Sequence, residues 1–151
     1  MLLGGYSNIL APVDFSPATR PLLGRASRET GLHSARLTLL HVIEFYPEDV
    51  PPGLVPPENL DPIQVYLNRA REQLDDLARE MGLPEVACNA MTCTGPAYHE
   101  IIKFAVDNSV DLIVMGYAGR WITDVLGSTA MAVTRHSQCD VLLVRNRGTT
   151  A

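Results

Sequence analysis

The sequence predicts a doubly wound α/β fold, a five-stranded parallel sheet with helices on both faces. Short apolar runs alternate with amphipathic helical stretches from one end of the chain to the other. Each helical stretch is long enough to carry the chain across the sheet between parallel strands. The second and fourth runs are apolar almost without interruption, as strands covered on both faces are. With 151 residues the chain has the length of one domain spanning residues 1–151, and a chain of that size buries about 68–70% of its unfolded surface.

The first strand is Ile9–Val13, followed at once by Asp14. Ser16-Pro17 reads as a helix N-cap with proline in the first turn, but Pro21 would then lie too deep, which favours a start nearer Thr19. Gly31 is the expected C-cap. Leu37–Ile43 is the second strand. Residues 46–62 form a proline-rich loop, with six of the eleven prolines between Pro47 and Pro62. A loop of that length in a compact domain is a lid, a partner surface or a disordered segment.

Asp61-Pro62 opens the clearest helix. Ile63, Tyr66, Leu67, Ala70, Leu74, Leu77 and Met81 fall at helical spacing, and Gly82 ends it. Val86–Cys93 is a third strand, less apolar and so expected near an edge. Thr94-Gly95-Pro96 turns into a helix carrying Ile101, Ile102, Ala105 and Val106. Asp111–Met115 is the fourth strand and runs straight into Gly116. Ser128–Ser137 is the last helix and Val141–Val144 the fifth strand.

Composition narrows the function classes. A net charge of −5 argues against nucleic acid and anionic membrane surfaces as partners, since both require a basic face. No apolar run approaches the roughly 20 residues of a membrane span, and Met1-Leu2-Leu3-Gly4-Gly5 lacks the features of a signal peptide. Cys88, Cys93 and Cys139 match no metal motif, and the first two would face opposite sides of one strand. These readings together place the protein in the cytoplasm. His41 sits within an apolar strand and is expected to be a satisfied core histidine. His33, His99 and His136 have no carboxylate or nucleophile at useful spacing. No catalytic residue and no metal ligand set is expected.

Parallel sheets of this kind bind ligands beyond the carboxyl ends of their strands, where strand order reverses. Two strand ends carry suitable chemistry: the first, with Asp14, and the fourth, with Gly116. Asp14 either caps the turn that follows it or faces a ligand. After the fourth strand the chain reads Gly116-Tyr117-Ala118-Gly119-Arg120-Trp121, and Gly127-Ser128-Thr129 opens the last helix. Glycines permit sharp turns and close approach, a helix N-terminus favours an anion, and Arg120 adds positive charge. These features make a phosphate cradle or, on the plainer reading, a turn and a helix cap. Trp121 covers a ligand, or serves packing or a dimer contact.

Four segments resemble the universal stress proteins: Ile9-Leu10-Ala11-Pro12-Val13-Asp14-Phe15-Ser16, Leu37-Thr38-Leu39-Leu40-His41-Val42, Gly95-Pro96-Ala97, and the glycine loop into Gly127-Ser128-Thr129. They occur in the family's order and span essentially the whole chain. The resemblance implies sheet order 3-2-1-4-5. It also implies a stress-response or regulatory module that binds ATP, or ADP or AMP, with Mg2+ accompanying the phosphates. Pro12, Val13, Asp14 and Val42 would surround the adenosine, Met115 and Gly116 the ribose, and Gly119, Arg120, Gly127, Ser128 and Thr129 the phosphates. In that order Val141, Leu142, Leu143 and Val144 form an edge strand. An open apolar edge invites pairing, and family members commonly pair there, so a homodimer is implied.

One departure stands out. The family's ATP-binding members place nine residues between the second and third glycines of the loop, whereas seven separate Gly119 from Gly127 here. A dimeric scaffold of the same fold without nucleotide is therefore an alternative. An adenylating enzyme fits less well, because the stretch Asp14-Phe15-Ser16-Pro17-Ala18-Thr19 has no glycine where such enzymes carry a glycine- and serine-rich phosphate loop. Any ATP hydrolysis is expected to be slow.

Overall fold

The computed structural model describes residues 4–44, 61–117 and 127–145. The proline-rich loop, apart from Asp61 and Pro62, lies outside the described residues, as do Gly119, Arg120 and Trp121. Among the described residues nine elements follow in order: β1 (Asn8–Pro12), α1 (Thr19–His33), β2 (Arg36–Ile43), α2 (Pro62–Glu80), β3 (Cys88–Thr94), α3 (Ala97–Asp107), β4 (Leu112–Tyr117), α4 (Ser128–His136) and β5 (Asp140–Arg145). All strand pairs are parallel, in the order β3-β2-β1-β4-β5. The predicted fold and strand order are therefore present.

The two-residue alternation of strands sorts the core into two layers. Ile9, Ala11, Leu37, Leu39, Leu112 and Val114 face one side, where they meet Leu22, Leu23 and Ala26 of α1 and Leu74 of α2. Leu10, Leu40, Ile113 and Met115 face the other, against Ile101 and Ala105 of α3 and Ala130 and Val133 of α4. Complete burial of one such leucine or isoleucine contributes about 1.5–3 kcal/mol. Cys88 packs on the first layer and Cys93 on the second. All three cysteines are unpaired, and burial raises each thiol above its ordinary pKa.

Element ends depart from the sequence reading in instructive ways. Helix α1 begins at Thr19, so Pro21 falls in its first turn, where its missing N–H costs nothing. Gly31 is not its C-cap. The helix runs two residues further because Thr30 is buried against the core, and Ser34 caps it at φ 51°, its N–H donating to the Thr30 carbonyl. Asp61 does cap α2, its side chain accepting from the Ile63 N–H, with Pro62 at the first helical position. Strand β3 begins at Cys88 rather than Val86, which is 99% exposed. The N–H groups of Ala87 and Cys88 turn back to the Pro84 carbonyl, so residues 84–87 make a turn before the ladder can form.

Candidate functional site

The chain leaves β1 outward through β2 to β3, then returns to the other side of β1 for β4 and β5. The order reverses between β1 and β4, and there a cleft of about 430 Å³ opens beyond the strands' carboxyl ends. That volume lies within the roughly 300–1,000 Å³ usual for small-molecule sites. Pro12, Leu40, Val42 and Met115 project into it from the α3/α4 side of the sheet.

The β1 end is built by local polar contacts. The Val13 N–H continues the ladder to the Leu40 carbonyl at 2.8 Å. One Asp14 oxygen accepts from the Ser16 N–H at 2.9 Å and from the Thr19 hydroxyl at 3.4 Å. Burial alone would raise the Asp14 pKa, but the hydrogen bonds from Ser16 and Thr19 together outweigh it and hold the carboxyl below its ordinary value. Asp14 thus caps its turn and lines the cleft as well. Between them Phe15 takes a left-handed φ of 58°, uncommon for a bulky residue. Its ring lies 4.6 Å from that of His41.

The far wall is the start of α4. Gly127 is its N-cap, with no side-chain cap, and the first intrahelical bond runs from Met131 N–H to the Gly127 carbonyl at 2.9 Å. The N–H groups of Ser128, Thr129 and Ala130 therefore have no intrahelical acceptor, and all three residues line the cleft. Gly116, in the last residues of β4, lines its floor. A Cβ there would stand 3.8 Å from the Ala18 side chain, an ordinary contact. The fold itself tolerates a methyl group at this position, so the glycine's effect is to leave the floor open.

The structure brings together Pro12, Val13, Asp14, Val42, Met115, Gly116, Gly127, Ser128 and Thr129. Gly119 and Arg120 fall outside the described residues. Ser16, Thr19, Glu44, Ala97 and Ile101 also line the cleft and were missed from the sequence. Ser16 and Thr19 were visible as polar residues two and five positions after Asp14. Glu44 and Ala97, which meet through a 2.8 Å hydrogen bond, had no local signal. Among the described lining residues the charged groups are Asp14 and Glu44, both acidic. His41 is satisfied as expected, its Nδ1 donating to the Val13 carbonyl at 2.6 Å, but it is half-buried rather than part of the core.

These features define a doubly wound α/β protein with a switch-point cleft and, facing it, a helix N-terminus that has no side-chain cap among the described residues. The chain matches the model of the universal stress protein family over residues 5–145. It is 33% identical over 140 residues to universal stress protein A homolog 1 of Coxiella burnetii, covering 92% of this chain and 96% of that protein. The chain belongs to the universal stress protein family. Among solved structures, the universal stress protein UspA from Lactobacillus plantarum superposes with a TM-score of 0.70 at 27% identity, covering 93% of this chain and 98% of that one. A universal stress protein in complex with cAMP superposes with a TM-score of 0.68 at 20% identity, covering 93% of this chain and 98% of its own.

Proposed function

We propose that this protein is a regulatory module that binds an adenine nucleotide in the switch-point cleft and works as a homodimer. The observation that carries the reading is the pairing of an apolar pocket (Pro12, Val42, Met115) with the N-terminus of α4, which no described side chain caps, across one cleft. The pocket suits a base and the helix N-terminus suits a phosphate. The complex of a family member with cAMP supports the same ligand class. Gly119 and Arg120 complete the phosphate side in this reading. In this reading Mg2+ accompanies the phosphates of ADP or ATP.

The dimer reading rests on β5, which ends the sheet with Val141, Leu142, Leu143 and Val144 only half-buried. No described helix is long and apolar enough to cross a membrane, and the unpaired thiols suit a reducing compartment such as the cytoplasm. The shortened interval between Gly119 and Gly127 keeps one second reading, a nucleotide-free dimeric scaffold. Mass spectrometry of ligand released on denaturing freshly purified protein, followed by calorimetric titration of AMP, ADP, ATP and cAMP, separates the two. A released adenine nucleotide or micromolar binding supports the module. No ligand and no binding up to millimolar concentration leaves the scaffold.

A further inference from the structure

Three helix N-termini border the cleft, those of α1, α3 and α4, and they differ. At the start of α1 the Asp14 carboxylate accepts from the Ser16 N–H and the Thr19 hydroxyl. That of α4 has no side-chain cap. That of α3 is closed from a distance: its own N-cap is Pro96, which offers no side-chain bond, and the Ala97 N–H donates instead to Glu44 Oε1 at 2.8 Å. Glu44 directly follows β2, and the Gly95 N–H donates to the carbonyl of Ile43 at 3.2 Å, so two hydrogen bonds join the end of β2 to the entry of α3. Gly95 makes that entry possible. Its φ is 137°, and a Cβ there would lie 2.9 Å from the Glu100 side chain. A carboxylate has two oxygens, and the cap uses one. Glu44 also lines the cleft, and its Oε2 accepts no hydrogen bond among the described residues.

We infer that Glu44 is a specificity-determining residue of the cleft: it accepts a hydrogen bond from an N–H or O–H donor of the ligand and turns negative charge away from the α3 end. An ionised carboxylate only accepts hydrogen bonds, so the group it meets must be a donor. Its charge also occupies the favourable field of α3, as the Asp14 carboxylate does at the start of α1, so among the described residues α4 is the helix end left open to an anion. The cleft therefore has a direction, with donors at the β2/α3 side and phosphate at the α4 side. This inference rests on the nucleotide reading and adds to it which end of the ligand lies where.

Two chemical groups of an adenine nucleotide supply such donors, the 6-amino group and the ribose hydroxyls. Calorimetric titration of AMP, inosine monophosphate and 2′,3′-dideoxy-AMP against wild type, Glu44→Gln and Glu44→Ala distinguishes them. The glutamine retains an acceptor for the Ala97 N–H, so its thermal midpoint stays near that of wild type, while the alanine loses the cap and melts lower. Wild type is expected to bind AMP about tenfold more tightly than whichever analogue lacks the donor that Glu44 meets, since hydrogen bonds to a charged partner are the stronger kind. In Glu44→Gln that difference is expected to fall to about threefold or less. AMP binding with unchanged discrimination in Glu44→Gln overturns the inference and leaves the nucleotide reading standing. Absence of AMP binding to wild type overturns both.

Discussion

His41 reaches from β2 and donates its Nδ1 proton to the carbonyl oxygen of Val13 at 2.6 Å. Because a carbonyl only accepts, this bond fixes the tautomer. It also holds the residue before Asp14 beneath the cleft and gives Phe15, strained at φ 58°, a ring to pack on. The histidine is a positioning group for the β1 turn.

His41→Ala should therefore destabilise the fold by about 1–2 kcal/mol, the cost of leaving a half-buried acceptor unpaired. Nucleotide affinity should fall severalfold with it, since Val13 lines the cleft. Thermal denaturation and titration of AMP on the same preparation check both. An unchanged midpoint would show that the bond contributes nothing net.

The pattern of what was legible in the sequence follows the range of the forces involved. Strand identities, strand order through the family resemblance, and the caps at Asp61 and Pro62 depend on residues close together in the chain. Asp14, Gly116 and Gly127 were found because each sits where a strand ends or a helix begins. Glu44 was not, because its partner Ala97 is 53 positions away and comes near only when β2 and α3 are in place. Phe15 gave no warning of its left-handed backbone, since a glycine or asparagine would have been the usual sign. Gly31 misled for the opposite reason: the burial of Thr30 carries the helix through it.

Asp14 links stability to acid pH. Its folded-state pKa is lowered from the ordinary 3.8. A lowered carboxyl contributes stability that is fully present above the unfolded-state value and is lost as pH falls through the folded-state value. Asp14→Asn keeps an oxygen for the Ser16 N–H but cannot ionise. The stability difference between wild type and this variant should be constant from neutral pH down to about 5 and shrink below about 4. Urea denaturation across pH 3–7 measures it. A difference that grows on acidification would contradict the sign.

The proposed homodimerisation through β5 has a substitution test with one complication. Val141 and Leu143 lean on the α3/α4 core layer while Leu142 and Val144 lean on the other, so each apolar residue of the edge also supports the fold. Leu143→Lys is expected to shift the protein from dimer to monomer at micromolar concentration by sedimentation velocity. Its circular dichroism should retain the native helix content. A wild type that sediments as a monomer, or a folded variant that remains a dimer, places the interface elsewhere or removes it.

The nucleotide preference follows from which parts of the cleft depend on the shortened glycine loop. Pro12, Asp14, Val42 and Gly116 stand on β1, β2 and β4, or directly after them, and none lies between Gly119 and Gly127. Ser128 and Thr129 are fixed by α4, whose first N–H groups suffice for one phosphate. In the proposed reading, contacts to a second and third phosphate would fall to the residues between Gly119 and Gly127. Two residues fewer than the family pattern removes up to about 7 Å of chain reach there. Binding near micromolar, about −8 kcal/mol, is therefore expected for AMP, ADP and ATP alike, with hydrolysis well below about one turnover per second. Separate calorimetric titrations of the three decide it. A preference for ATP of a hundredfold, about 2.7 kcal/mol, would mean that the shorter loop still gathers the outer phosphates, and the direction of selectivity would then have to come from Arg120 and Gly119 rather than from α4.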